Sequence, residues 1–239
     1  MAHRMRPAAV LTVLALTGGM VLPLATGCGA LAKIGAATHY PPPEKFTVDG
    51  RTTAVVIDGG GGSIDVTGTA RTTVGVSEQA SYSKRAPLTR HVLSGSTLTL
   101  SYTCPSQVLC GVSYTVAVPR DVTLRVSTGA GSITLTSLSG PVTARADAGL
   151  ITAVDLRSLT ANLRSSAGGI IATFAVAPSS VLASTSLGPI TLTVPGTVAY
   201  KVSTHTVVGT STVTVRKNAA SAHAITASSD VGSISVSPS

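Results

Sequence analysis

Six glycines set the terms on which this chain can fold. Gly131, Gly149, Gly168, Gly188, Gly209 and Gly232 follow one another at intervals of 18, 19, 20, 21 and 23 residues, and each sits in the same local frame. Seven positions before them stand Leu124, Val142, Ala161, Val181, Val202 and Ile225, and five before stand Val126, Ala144, Leu163, Ala183, Thr204 and Ala227. Two positions after stand Ile133, Ile151, Ile170, Ile190, Ser211 and Ile234, and four after stand Leu135, Ala153, Ala172, Leu192, Val213 and Val236. Spacing by two puts these side chains on one face of two successive short strands. The glycine is then the corner, where the missing Cβ permits a bend or a close backbone approach. One such unit cannot bury its apolar face alone, whereas copies stacked about 4.8 Å apart build a continuous interior. A further copy fits around Gly62, with Val55, Ile57, Ile64 and Val66 in the inward positions.

The fold class expected is therefore all-β: a single-domain β-solenoid with coils of about 18 to 23 residues, spanning 46–239, with an antiparallel sandwich as the alternative topology. The regular coils occupy about 121–237, and a longer antiparallel portion lies at about 67–120. The coil at Gly209 departs from the frame, because Thr204 and Ser211 take apolar slots, so a shifted register or distorted coil is expected there. Later corners carry longer loops, such as 216–222.

Three cysteines bear on the compartment. Cys104 and Cys110 flank a short crossing between two alternating runs, Thr97–Tyr102 and Val112–Val118, and read as one local disulfide stapling a hairpin near its tip. Closing so short a loop stabilises by roughly 2 kcal/mol on the chain-entropy account. Two thiols with no histidine nearby are too few ligands for a metal site.

The third, Cys28, belongs to an address. Arg4 and Arg6 precede an apolar run from Ala8 to Leu24, and Leu24-Ala25-Thr26-Gly27-Cys28 follows. That order reads as a lipoprotein signal peptide over 1–27, with Cys28 becoming the lipidated amino terminus. An uncleaved anchor, or secretion with Cys28 incidental, would also place the body outside the cytoplasm. A diacylglyceryl anchor supplies two chains and holds stably, where one acyl chain is marginal. Residues 28–45, with Pro41-Pro42-Pro43, read as a stiff tether between membrane and domain.

Composition narrows the body of roughly 190 residues to one globular domain. The hydrophobic share of 44% argues against intrinsic disorder, and aromatic residues at 3% with no tryptophan suit narrow strands of small β-branched side chains. The formal charge is +8, and loss of Arg4 and Arg6 with the leader reduces it by two. Lys84-Arg85 and Arg216-Lys217 are the only adjacent basic pairs in the mature chain, so no nucleic-acid patch with interleaved aromatics is present. Attraction to anionic lipid headgroups or wall polymers is the more natural consequence.

The run from Ser113 to Val122, with Pro119-Arg120-Asp121, leading into Arg125-Val126-Ser127-Thr128-Gly129-Ala130-Gly131-Ser132-Ile133-Thr134, resembles the bacterial putative-adhesin domain, a domain-of-unknown-function family of β-solenoid character. The resemblance covers about 46–237 and implies the solenoid fold, a cell-surface location and an adhesive role. Members of that family carry Thr-Gly-Ser-Gly-Asp-Val corners about every twenty residues. In this chain Ser132, Leu150, Gly169, Pro189, Thr210 and Ser233 stand where the family has its acidic corner residue, so no role of corner carboxylates carries over.

Signals for chemistry are weak. His39 falls in the tether, His91 lies near the strands, and His205 and His223 lie on neighbouring coils without a metal-ligand spacing. No Gly-x-Ser-x-Gly elbow occurs. Asp121, Asp147, Asp155 and Asp230 do not cluster in sequence as the acids of a polysaccharide-cleaving β-helix would. Gly59–Gly62 lacks the Lys-Ser or Lys-Thr of a phosphate loop and reads as a flexible first corner. Thr-x-Thr pairs at Thr97/Thr99, Thr134/Thr136, Thr191/Thr193 and Thr212/Thr214 suggest a flat hydroxyl array of the ice-binding kind, but the Gly149 and Gly168 coils interrupt it.

The reading is a cell-surface lipoprotein that serves as an adhesive, binding or envelope-structural module, held by lipid to the outer face of the membrane. It is not an enzyme and needs no cofactor or metal. Its expected partners are the membrane through the anchor, and a cell-wall polymer or envelope protein. The alternatives are a sensory lipoprotein reporting to a membrane protein and, less favoured, a polysaccharide-acting enzyme.

Overall fold

The computed structural model describes residues 38–105 and 109–239. The signal peptide, Cys28 and the tether as far as residue 37 lie outside these residues, as does the middle of the Cys104–Cys110 crossing. Regular structure among the described residues is strand throughout. The first nine strands are β1 (Glu44–Val48), β2 (Ala54–Gly61), β3 (Ile64–Thr69), β4 (Val74–Tyr82), β5 (Leu88–Ser94), β6 (Thr97–Thr103), β7 (Cys110–Pro119), β8 (Thr123–Ala130) and β9 (Ile133–Thr136). Then follow β10 (Val142–Ala148), β11 (Ile151–Leu156), β12 (Thr160–Ala167), β13 (Ile170–Phe174), β14 (Ser180–Leu187), β15 (Ile190–Val194), β16 (Lys201–Val208), β17 (Ser211–Val213), β18 (Ala224–Val231) and β19 (Ile234–Pro238).

Two sheets face each other. One runs β1-β4-β7-β3-β9-β11-β13-β15-β19-β17 and the other β16-β18-β14-β12-β10-β8-β2-β6-β5. Each glycine corner carries the chain from the nine-stranded sheet to the ten-stranded one, so a coil is one strand of each. The coils stack in parallel and in register: Leu124 lies beside Val142, Val142 beside Ala161, and Ala161 beside Val181. This is the β-solenoid expected, with antiparallel strands β1, β4 and β5 at one end.

The inward positions form one core. Leu124, Ile133, Leu135, Ile151, Leu163, Ile170, Ile190, Leu192, Ile225 and Ile234 are all buried, as are Val55, Ile57, Ile64 and Val66. Small and large residues alternate among the buried positions, Leu163 and Ala172 in one coil and Ala183 and Leu192 in the next, which suits a narrow two-layer interior.

The corners are fixed by close backbone stacking. A Cβ on Gly149 would collide with the carbonyl of Gly131, on Gly168 with that of Gly149, and on Gly188 with that of Gly168, each at 2.5 Å or less. These glycines also hold φ between 143° and 152°, which L side chains rarely adopt. All but one of these stacked carbonyls are then met by a hydroxyl from the next coil, three residues before its own glycine. Ser165 donates to Gly149 O at 2.9 Å, Thr185 to Gly168 O at 2.8 Å, Ser229 to Gly188 O at 3.0 Å and Thr206 to Gly232 O at 2.9 Å. Thr128 reaches Gly62 O at 3.3 Å. In the Gly149 coil that position is Ala146.

The structure differs from the sequence reading in two places. The Cys104–Cys110 disulfide is present, with Cα atoms 5.8 Å apart, but it does not staple a hairpin. β6 and β7 belong to different sheets and do not pair: β6 lies parallel to β2 and antiparallel to β5, while β7 lies parallel to β3 and antiparallel to β4. The bridge therefore closes a corner, and β6–β7 is itself a coil, with Val112 at the corner position: a Cβ on Gly62 would meet its carbonyl oxygen at 2.5 Å. The physical reason is that the alternation of Leu98, Leu100, Val112, Tyr114 and Val116 fits the solenoid interior, and all five are buried there.

The second difference is at the far end. The last coil in sequence, β18–β19, is inserted between β14–β15 and β16–β17, so the Gly209 coil is outermost. Its register is regular, with Val202 beside Ile225 and Thr204 beside Ala227. Thr204 and Ser211 are tolerated because only one side of that coil is covered, and Ser211 donates to Thr204 Oγ1 at 2.8 Å.

Two expectations follow. Thr185→Val removes a donor from a buried carbonyl and lowers stability by about 1–3 kcal/mol, while Ala146→Ser completes the hydroxyl column and raises it by about 0.5–1.5 kcal/mol, both read from urea midpoints. In hydrogen exchange, amides of Ile225–Ser229 exchange more slowly than those of Val202–Thr206, although they lie nearer the carboxyl terminus, because β18 is interior and β16 is an edge.

Candidate functional site

The in-register stack aligns outward side chains as strictly as inward ones. Across the nine-stranded sheet one outward row reads Ser101, Asp58, Ser127, Arg145, Arg164, Ser184, Ser228 and His205, each beside the next on adjacent strands. A second row, two residues earlier, reads Thr99, Val56, Arg125, Thr143, Asn162, Leu182, Thr226 and Ser203. At about 4.8 Å per strand, a row of eight spans roughly 34 Å. Arg145 and Arg164 stand side by side at its centre. Arg145 Nη2 lies 3.0 Å from Asp147 Oδ1, and Arg164 Nε donates to Asn162 Oδ1 at 3.3 Å. A dip of about 230 Å³ lies beside them, walled by Ser165, Ser166, Ser184, Thr185, Ser186, Ser228 and Asp230. Such a face offers hydroxyl donors and acceptors at even spacing, with two cations in the middle.

The opposite edge, where the chain returns from the ten-stranded sheet to the nine-stranded one, holds the larger concavity. The segments 50–53, 69–73 and 119–123 enclose about 830 Å³ there.

A third polar cluster sits at the end capped by β1, β4 and β5. Glu78 on β4 faces inward beside Tyr114 on β7, and its Oε1 lies 2.7 Å from Nε2 of His91 on β5. The pair thus joins the two sheets, and the ring of Phe46 from β1 packs on His91 with centroids 4.3 Å apart. Glu78 Oε2 and the Tyr114 hydroxyl are buried without a hydrogen-bond partner. Burial raises the Glu78 carboxyl above its ordinary 4.5; His91 opposes the rise and Glu44 adds to it. Burial first, and the Glu78 charge second, push the Tyr114 hydroxyl up as well.

Of the other histidines, His39 lies along β4, bridging to Tyr82 and stacked on its ring at 5.4 Å. Residues 39–48 of the segment containing the proline run thus lie against the domain, with Pro41 O accepting from Gln79 Nε2. His205 points outward beside Ser228, whereas His223 Nδ1 is 2.8 Å from Pro178 O and its ring meets Tyr200. The two are held by different contacts and do not form a site. Asp155 is bound by Ser137 at 3.0 Å and lies 3.9 Å from Arg157, a local corner arrangement apart from Asp147. The Glu78–His91 pair was not legible in the chain, since thirteen residues and two sheets separate its members. The hydroxyl three before Gly131, Gly168, Gly188, Gly209 and Gly232 was legible, as a polar residue recurring at an inward parity.

A parallel β-solenoid is what the geometry defines. No family model matches the chain, and no curated protein matches it. Among solved structures, it is similar to a putative cell adhesion protein from Clostridium sporogenes, with TM-score 0.45 and 10% identity over 82% of this chain and 100% of that one. It is also similar to a putative adhesin from Bacteroides fragilis, with TM-score 0.43 and 12% identity over 82% of this chain and 97% of that one. Likeness at this level assigns neither ligand nor role.

The Glu78 cluster yields a pH expectation. A carboxyl whose folded pKa is raised contributes stability that is present below its unfolded pKa and is lost as pH rises through the folded value. Glu78→Gln cannot ionise, so its melting temperature relative to the natural protein climbs as pH is raised from 4 towards 8, as a thermal series at constant ionic strength will show.

Proposed function

We propose that this protein is a surface-displayed binding module, anchored by lipid at Cys28 on the outer face of the membrane, that grips an extended polar polymer of the cell envelope across the outer face of its nine-stranded sheet. The observation that carries the reading is the pairing of Arg145 with Arg164 at the centre of a regular hydroxyl-rich row. Like charges directly opposite on neighbouring strands are destabilising. Such an arrangement suits a ligand that contributes acceptor oxygens and relieves the repulsion. An extended face of this length suits adhesion better than catalysis, which needs a base and a nucleophile or electrophile converging on one point. The reading assigns the chain no chemical step.

The test is retention of the purified full chain on insoluble wall glycan. Arg145→Gln with Arg164→Gln is expected to lower retention about tenfold, the effect of losing about 1.4 kcal/mol, and natural binding is expected to weaken with salt. Undiminished retention by the double variant overturns the assignment to this face. Recovery of a single membrane protein from envelope extract, with no polymer bound, would replace adhesion by a sensory role.

A further inference from the structure

The return edge carries a second site, independent of the sheet face. Arg51 lies just before β2, Arg71 in the loop from β3 to β4, and Arg120 directly after β7, and all three line the same groove of about 830 Å³. Twenty and 49 residues separate them in sequence, so the convergence is made by the fold. None of the three guanidinium groups has a carboxylate partner among the described residues, and Asp121 is the one acid in the lining. The groove therefore holds a net positive charge that the protein leaves uncompensated.

A second observation points the same way. Thr52, at the base of the loop bearing Arg51, is 5% exposed, yet its hydroxyl has no hydrogen-bond partner. A buried hydroxyl without a partner costs free energy, and native structures leave few of them. Thr52 is one of the residues lining the groove, with its hydroxyl set below the surface. The remaining walls are glycine, threonine, alanine and proline, with no large apolar side chain.

We propose that this groove binds the phosphate groups of a linear phosphate-bearing envelope polymer. Guanidinium forks match phosphate oxygens in pairs, and three of them from separate loops surround an oxyanion more completely than a single ion pair does. The volume exceeds what one phosphate needs, so the adjoining polyol unit of a polymer fits with it, donating and accepting among the threonines. A phospholipid headgroup offers the same phosphate chemistry. A concave site without an apolar flank suits a threaded polymer rather than a bilayer surface, where apolar side chains would enter the headgroup boundary.

The experiment uses the full chain and calorimetric titration with linear poly(glycerol phosphate), with inorganic phosphate, with an uncharged glycan, and with phosphatidylglycerol vesicles. The phosphate polymer is expected to bind and inorganic phosphate to compete weakly, while the uncharged glycan does not bind at this groove. Arg71→Gln and Arg120→Gln are each expected to weaken polymer affinity about tenfold and to flatten its dependence on salt, as loss of a phosphate contact does. Thr52→Val, which keeps shape and charge, is expected to weaken it several-fold without changing the salt slope. Arg145→Gln with Arg164→Gln is expected to leave the affinity of this groove unchanged, so failure here and failure of the sheet-face reading are told apart. Full affinity in both arginine variants, with native circular dichroism, overturns the proposal. So does binding to the vesicles with none to the polymer.

Discussion

The stacked corner is the constraint on which the rest of the structure depends. Each glycine brings its backbone against the carbonyl of the corner below, closer than any Cβ allows, and in every coil but that of Gly149 a hydroxyl closes on that carbonyl. The contact fixes the position of each coil along the stack and its rotation about it. Once Gly149 rests on Gly131, Ile151 can stand only beside Ile133, and Val142 only beside Leu124. A slip of one residue would turn every inward side chain outward, so the corner and the apolar alternation enforce one register together. Coils that differ in loop length can then share one core, because variation is confined to the return edge.

That division of labour explains where the polar surfaces are. The outer face of the nine-stranded sheet is ordered because its strands inherit the register set at the corners. The return edge is free to vary. In the Gly131, Gly149 and Gly168 coils it is a short turn plugged from inside by Leu138, Leu156 and Phe174, with the Ser158 hydroxyl bonding Leu138 O and Gly140 O. At the beginning the chain leaves β3 for β4 and re-enters from β7 to β8, so separate segments pass where other coils have a single turn. The groove with Arg51, Arg71 and Arg120 is the space those segments leave. It is a consequence of coils that are neighbours in space without being neighbours in sequence.

The same non-sequential stacking marks the limit of what the chain discloses. Period and parity name the inward residues, and the corner glycines follow from them, because those properties are local to one coil. The order in which coils stack is decided by which interior fits which. Val55, Ile57, Ile64 and Val66 show that a coil exists at Gly62, but not that β6–β7 will lie beneath it and β8–β9 above. Thr204 and Ser211 look like flaws until the Gly209 coil is seen to be last. The disulfide pairing was readable from three cysteines, whereas its place at a corner depended on β6 and β7 parting to opposite sheets. Arg145 and Arg164 are nineteen residues apart, one coil length, so their adjacency could have been drawn from the repeat; the convergence of Arg51, Arg71 and Arg120 obeys no period.

A stack of identical coils has no intrinsic end, and exposed strand edges invite another chain to add itself. The two ends here are closed by different means. At one, the strand direction reverses: β4 and β5 lie antiparallel on their coil, and Glu78 with His91 ties the sheets together beneath Phe46. On the nine-stranded sheet a new parallel coil arriving there meets β5, which runs against the coil strands, whereas on the ten-stranded sheet the outermost strand, β1, runs in their sense. At the other, the last coil is slipped beneath its predecessor, so the outermost coil is the one with two polar residues, Thr204 and Ser211, among its inward slots. Thr204 and Ser211 satisfy each other and would be stripped of that bond, or buried against apolar neighbours, by a coil laid on top. The apolar carboxyl-terminal coil is thereby buried and the more polar one displayed.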